Sequence, residues 1–164
     1  MALTTTIGGA ATDSYATAAE YTARASAMGW TLTTTTQDAN MRRAAVALDA
    51  RWLARASGYR QYQTQLREYP RVWAGYVNGW PVNPDTIPQA IKDAQMELAY
   101  LIQGGADPMA TLDGVVASER VKAGPVESDT AYMGGKGLPS YTAVNALIAP
   151  YLTAGQGQSR LVRA

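Results

Sequence analysis

Two apolar stripes with the period of an α-helix constrain the fold of this 164-residue chain more than any other feature. Met41, Ala45, Leu48 and Trp52 recur at the spacing of one helical face. A second stripe lies between Pro88 and Gly104, and its members are Ile91, Ala94, Leu98, Leu101 and Ile102. Stripes of this kind are usually buried, so the sequence predicts two helices that pack into a shared core.

Weaker patterns complete a prediction for the whole chain. The predicted class is mainly α, a bundle of about four helices with a small β-hairpin. Helices are predicted at about 14–28, 37–56, 88–103 and 140–152, and the hairpin at about 115–132. Residues 13–152 would form a single domain, between a flexible N-terminal arm (1–12) and a flexible C-terminal tail (153–164).

The composition argues against catalysis. The chain has no cysteine and no histidine, which removes thiolate nucleophiles, the usual proton shuttle near neutral pH and the commonest metal ligands. Carboxylates are scattered and no catalytic motif is recognisable, so a small carboxylate enzyme is the last of the hypotheses. We expect a protein that is not an enzyme and has no cofactor and no metal site.

The hydropathy of the chain predicts no membrane association. No apolar run approaches the roughly 20 residues that span a bilayer. The N-terminal residues lack the basic region and the long apolar region of a signal peptide. We therefore expect a protein that is made and used in the cytosol.

Positive charge is concentrated in residues 42–71. This stretch carries a net charge of +5, although the whole chain carries only +1. It contains seven of the eleven arginines: Arg42, Arg43, Arg51, Arg55, Arg60, Arg67 and Arg71. Such asymmetry is compatible with a solvated helical face, or with a polyanion or an acidic protein surface as partner.

The segment 59–86 combines aromatic residues with Arg, Gln and three prolines, which prevent a long helix. Its rings are Tyr59, Tyr62, Tyr69, Trp73, Tyr76 and Trp80. Three interpretations are open at this point: the rings fill the core, form a protein interface, or stack on nucleic-acid bases.

The order of several short motifs resembles a known family. The motifs are Tyr15-Ala16-Thr17, Tyr69-Pro70-Arg71, the Ile87-Pro88 helix start, Ser118 to Val121 followed by Gly124, and Ala149-Pro150-Tyr151-Leu152. In this order they resemble the head–tail connector adaptors, or head completion proteins, of tailed bacteriophages and gene transfer agents. Some members of that family are labelled DnaT-like single-stranded DNA-binding proteins. Tyr69 departs from the pattern, which usually has Trp before Pro-Arg.

The resemblance implies a structural role in the virion. Such an adaptor forms a ring of about twelve copies beneath the portal and continues the DNA channel. The implied partners are other copies of the chain, the portal protein, the next tail-completion or tail-terminator protein, and double-stranded DNA that passes without sequence specificity. No membrane partner is implied, and assembly would occur in the host cytoplasm.

We predict that subunit, portal or DNA-channel contacts come from the arginine-rich and aromatic segments and from the C-terminal tail. The alternative is a single-stranded DNA-binding module that uses residues 42–80. The candidate contact residues are Arg42, Arg43, Arg51, Arg55, Arg67, Arg71, Trp73, Tyr76, Trp80, Arg160, Leu161 and Arg163.

Overall fold

The computed structural model describes residues 2–111, 115–122, 127–133 and 138–153. Within these residues, α-helices and short antiparallel strand pairs make up the regular structure, which confirms the predicted mainly α class. The helices are α1 (Ala18–Met28), α2 (Gln37–Arg51), α3 (Gln89–Gln103) and α4 (Thr142–Ile148). Short 3-10 helices follow α2 and α4, at Leu53–Arg55 and Ala149–Tyr151.

The strands form three antiparallel pairs in the described part of the chain. They are β1 (Tyr59–Arg60) with β2 (Arg71–Val72), β3 (Tyr76–Val77) with β4 (Trp80–Pro81), and β5 (Val115–Lys122) with β6 (Glu127–Met133). The last pair lies where the sequence predicts a hairpin, in a compact unit of its own formed by residues 107–140. Its register shifts between Val116 and Ser118, which leaves one extra residue in β5.

The core of the other unit lies where α2 packs against α3 and α3 against α4. The α2 stripe is buried as predicted, with Met41, Ala45 and Leu48 fully inaccessible. The α3 stripe is buried too, except that Leu101 is only half-buried at the edge of the core. These faces therefore supply the apolar burial that stabilises the fold.

The first helix begins later than the sequence indicates. The sequence predicts a start at about residue 14, but the N-cap is Thr17, which forms a reciprocal capping box with Glu20. The predicted start was wrong because Asp13 and Ser14, whose side chains could cap a helix there, have other partners. Asp13 accepts hydrogen bonds from Thr4 and Arg42, and the Ser14 hydroxyl donates to the carbonyl of Ala16.

Residues 2–12 are held against the body, whereas the sequence predicts a flexible arm. The backbone N–H of Leu66 donates to the carbonyl of Gly9 at 3.3 Å. Arg67 Nε donates to the carbonyl of Thr12 at 3.2 Å, and Arg42 Nη2 to the carbonyl of Ala2 at 2.7 Å. Two arginines of the basic stretch thus bind the N-terminal segment, which charge counting does not reveal.

Gly58 marks a close approach between two backbone segments. Its φ is +78°, and a Cβ built on it would collide with the carbonyl oxygen of Val72. Gly79 has a similar φ of +84°, but a Cβ there would meet open space. The two glycines therefore separate the cost of a left-handed backbone from the cost of a steric clash.

Gly58→Ala is expected to lower the free energy of unfolding by about 2 kcal/mol more than Gly79→Ala, because only the first introduces a clash with backbone. Urea unfolding of the two variants and the wild type measures the difference. Equal losses in the two variants would contradict the close approach.

Candidate interaction surface

Two arginines of the predicted contact set are buried and are used inside the molecule. Arg67 is 8% exposed, and its guanidinium contacts Asp49 at 3.1 Å. Arg71 is also 8% exposed; it contacts Glu68 at 2.7 Å and donates to the carbonyls of residues 56, 57 and 58. The prediction that these two side chains form external contacts was wrong, because the planar guanidinium satisfies several internal acceptors at once.

The other arginines divide into paired and exposed groups. Arg42 pairs with Asp13 at 2.6 Å, and Arg60 pairs with Glu68. The guanidinium carbon of Arg51 lies 4.4 Å from the centre of the Trp52 ring, and Arg55 donates to the carbonyl of residue 51 at 3.3 Å. Arg43 is exposed on α2 and makes no hydrogen bond or ion pair with the described residues. Four of the seven arginines are thus paired with acids. Since Asp49 and Glu68 are already counted in the net charge of +5, only Asp13 among these acids lowers that charge.

The predicted aromatic contacts are exposed. Trp73 is 86% exposed, Tyr76 74% and Trp80 77%. The β3–β4 hairpin carries two of them, since Tyr76 lies opposite Pro81 and Trp80 opposite Val77. We call Trp73, Tyr76 and Trp80 the aromatic surface; it includes both faces of the hairpin, because directly opposed residues share a face and Tyr76 and Trp80 therefore lie on opposite faces. Three large rings exposed within eight residues are more than the isolated apolar groups that any surface carries.

The aromatic segment thus has two roles that its sequence does not separate. Tyr69 is buried in the core at 2% exposure, where its ring meets that of Tyr151 edge to face at 6.4 Å. Tyr59, paired with Val72 across β1 and β2, is 73% exposed, and the sequence prediction did not select it as a contact residue. Alternation of aromatic and polar residues does not distinguish the two roles, because the strands here are only two residues long.

The backbone of the aromatic surface is strained. Trp73 has a φ of +58° and Asn78 a φ of +53°, in the left-handed region that favours glycine. For a bulky residue such as Trp this conformation is rare and costs about 1–2 kcal/mol. Trp73 is therefore held in a costly conformation that also exposes its ring to water, a combination that is typical of functional positions.

The aromatic surface has no positive charge in its own segment. Between Arg71 and Lys92 the only charged residue is Asp85. This carboxylate is exposed, accepts a hydrogen bond from Gln61 Nε2 at 2.8 Å, and has no cation partner among the described residues. A depression of about 300 Å³ lies beside Trp80, and its lining also includes Val77, Val82, Pro88 and Tyr151. Apolar and weakly acidic chemistry therefore dominates here.

A largely buried polar cluster forms around Asp49, and the sequence does not predict it. The Asp49 carboxylate on α2 accepts hydrogen bonds from the Tyr15 hydroxyl and from Arg67 Nη1. The backbone N–H of Glu68 donates to the Tyr15 hydroxyl oxygen at 3.0 Å. Burial raises the pKa of Asp49 to about 6, against the lowering effects of Tyr15 and Arg67. The cluster joins α2, the segment that leads into α1 and the loop that precedes β2.

The Asp49 cluster predicts a pH dependence of stability. The folded-state pKa of about 6 lies above the ordinary value of 3.8, so the folded state holds the proton more tightly than the unfolded state. The stability that protonated Asp49 contributes is complete below about pH 4 and is lost as the pH rises through about 6. The difference in the free energy of unfolding, wild type minus Asp49→Asn, should therefore decrease as the pH is raised from about 4 to about 6. Urea unfolding at several pH values measures it, and a flat or rising difference would contradict the assignment.

Other site chemistries find no support in the described residues. No group of three or more acidic side chains there could hold a metal ion. No helix among them is long and apolar enough to cross a membrane. The predicted tail contacts Arg160, Leu161 and Arg163 lie outside the described residues.

These features define a small, mainly helical fold with several internally paired arginines and three exposed aromatic side chains in residues 73–80. Residues 1–164 match the family described as "Putative DnaT-like ssDNA binding protein", and the chain belongs to this family. No curated protein and no solved structure matches the chain.

Proposed function

We propose that the protein is a structural head–tail connector adaptor, which forms a ring between the portal and the next tail component and continues the DNA channel. The observation that carries this proposal is the aromatic surface: three exposed rings, one on a strained backbone, in a segment without a cation. Trp, Tyr and uncharged surroundings are typical of the centre of a protein interface. The resemblance to connector adaptors gives this interface its biological setting.

The energetics favour burial of the rings in an assembly. Fully burying one large apolar side chain contributes about 1.5–3 kcal/mol, so burial of Trp73 alone can offset its backbone strain. Residues of this kind often dominate the binding energy of an interface. The aromatic surface is thus costly in an isolated subunit and favourable in an assembly.

The charge distribution suits a channel through which DNA passes without being bound tightly. Several arginines of the basic stretch are paired with acids or bound to backbone carbonyls. Fewer cations remain to neutralise phosphates, and phosphate neutralisation is what holds DNA on a protein. The role is structural rather than enzymatic, and the protein would reside at the head–tail junction after assembly in the host cytoplasm.

Electron microscopy of the purified protein mixed with its portal ring tests this function. We expect a ring of this protein on the portal. The variant Trp73→Ala/Trp80→Ala should lose the ring, whereas Met28→Ala, which truncates an exposed side chain at the end of α1, should keep it. A wild-type protein that stays monomeric at all concentrations and does not bind the portal would rule the function out.

A second candidate function is single-stranded DNA binding, which the family description and the exposed rings support. Bases would stack on Trp73, Tyr76 and Trp80. Cations from other segments would have to hold the phosphates, because none lies between Arg71 and Lys92. This requirement is why the adaptor stands first.

Fluorescence anisotropy with a labelled oligonucleotide distinguishes the two functions. DNA binding predicts an affinity that falls steeply with salt, and a loss of about 1–3 kcal/mol for each ring removed. Anisotropy that does not change at low salt would exclude this second function.

A further inference from the structure

We propose that the aromatic surface of one copy packs against the exposed face of α2 of the next copy. This assignment rests on the proposed ring and names the two surfaces that build it. The exposed face of α2 is formed by Ala39, Arg43, Val46 and Ala50.

A closed ring needs two different surfaces on each subunit. In a cyclic assembly of more than two copies the contact is heterologous, so a surface on one copy meets another surface on its neighbour. If the aromatic surface met itself, the contact would close at two copies. It would also bring together two segments whose single charge is the acidic Asp85.

The exposed face of α2 offers an apolar side chain flanked by short ones. Its residues recur at steps of four, three and four, so they lie on one side of the helix. Val46 is an exposed large apolar side chain at 50% exposure, and the flanking Ala39 and Ala50 are short. Flat rings such as those of Trp73 and Trp80 can approach this face closely. The opposite side of α2 is already buried in the core.

The two surfaces also match in charge. Arg43 has no partner among the described residues, and Asp85 has no cation partner. An Arg beside Trp rings can also bind their faces, a contact that this fold makes internally between Arg51 and Trp52. The α2 face therefore supplies the positive charge that the aromatic surface lacks.

A mixing experiment tests the assignment. Variant one, Trp73→Ala/Trp80→Ala, lacks the aromatic surface, and variant two, Arg43→Glu/Val46→Asp, lacks the α2 face. We expect self-association of each variant alone to have a dissociation constant at least roughly 30-fold above that of the wild type. At concentrations at which the wild type assembles, each variant alone should therefore be monomeric. A one-to-one mixture should form a heterodimer and nothing larger, because only one intact contact remains. Analytical ultracentrifugation measures all three samples.

Engineered crosslinking locates the contact directly, because the natural chain has no cysteine. Tyr76→Cys and Val46→Cys proteins, mixed with a short bis-maleimide, should give a crosslinked dimer that neither protein gives alone. Met28→Cys is the control; it is exposed to a similar degree as Val46 but lies outside both surfaces, and it should not crosslink to Tyr76→Cys.

The outcomes separate this inference from the proposed function. All samples are measured under the conditions in which the wild type assembles, with the portal present if assembly requires it. If the wild type forms rings and either variant assembles equally well, the proposed interface is wrong and the adaptor function still stands. The same conclusion follows if the wild type forms rings and the mixture of variants stays monomeric. A wild type that never assembles overturns both.

Discussion

Replacing Gln95 by Leu is expected to lower the free energy of unfolding by about 3 kcal/mol or more, because two buried backbone N–H groups lose their acceptor. Gln95 is fully buried on α3. Its Oε1 accepts from the backbone N–H of Tyr15 at 2.9 Å and of Ala16 at 3.1 Å. Its Nε2 donates to the Ser14 hydroxyl at 2.7 Å and to the carbonyl of Met41 at 2.8 Å.

One amide therefore joins α3 to α2 and to the segment that leads into α1. Leu has a similar volume, so the substitution removes hydrogen bonds without leaving a large cavity. Guanidinium unfolding measures the loss. Gln89→Leu, on the exposed side of the same helix, is the matched control and should change stability by less than about 0.5 kcal/mol. Similar losses for the two variants would show that the buried amide has no special role.

Replacing Arg71 by Met should destabilise the protein by about 3–5 kcal/mol, since it removes one partner of a buried ion pair. The Arg71 guanidinium binds the carbonyls of Ala56 at 3.0 Å and Gly58 at 2.7 Å, and the carboxylate of Glu68 at 2.7 Å. These contacts hold β2 to the chain that leaves α2.

Arg71→Lys separates charge from geometry. Lysine keeps the positive charge but lacks the planar guanidinium that contacts all of these acceptors. The stability of Arg71→Lys should therefore lie between those of Arg71→Met and the wild type. Arg43→Met is the control, because Arg43 is exposed and has no partner among the described residues. Thermal and urea unfolding measure the series. If Arg71→Met were as stable as Arg43→Met, the internal role of Arg71 would be wrong.

These two residues illustrate the limits of sequence patterns. Gln95 lies on α3 within a predicted helix, but a Gln near an apolar stripe gives no sign that it binds two other segments. Arg71 follows the Tyr69-Pro70 step and belongs to a basic stretch, so charge counting placed it on the surface. Both depend on carbonyls and N–H groups that are distant along the chain, and backbone groups have no sequence signature.

The aromatic segment could be predicted in part. Its composition indicated core, interface or base stacking, and Trp73, Tyr76 and Trp80 were chosen as contacts. The structure exposes these three and buries Tyr69. The sequence could not make this division, because side-chain burial in strands of two residues depends on how each turn docks on the helices.

By itself, the sequence determined the helices of the core, because an apolar stripe with a period of 3.6 residues must turn one face away from water. It also determined the lack of histidine and cysteine chemistry and the concentration of arginine in residues 42–71. Only the tertiary structure decided which arginines are neutralised inside the fold and which rings remain exposed. The reason is that ion pairs and burial depend on distances between segments that are far apart in the chain, and local periodicity carries no information about those distances.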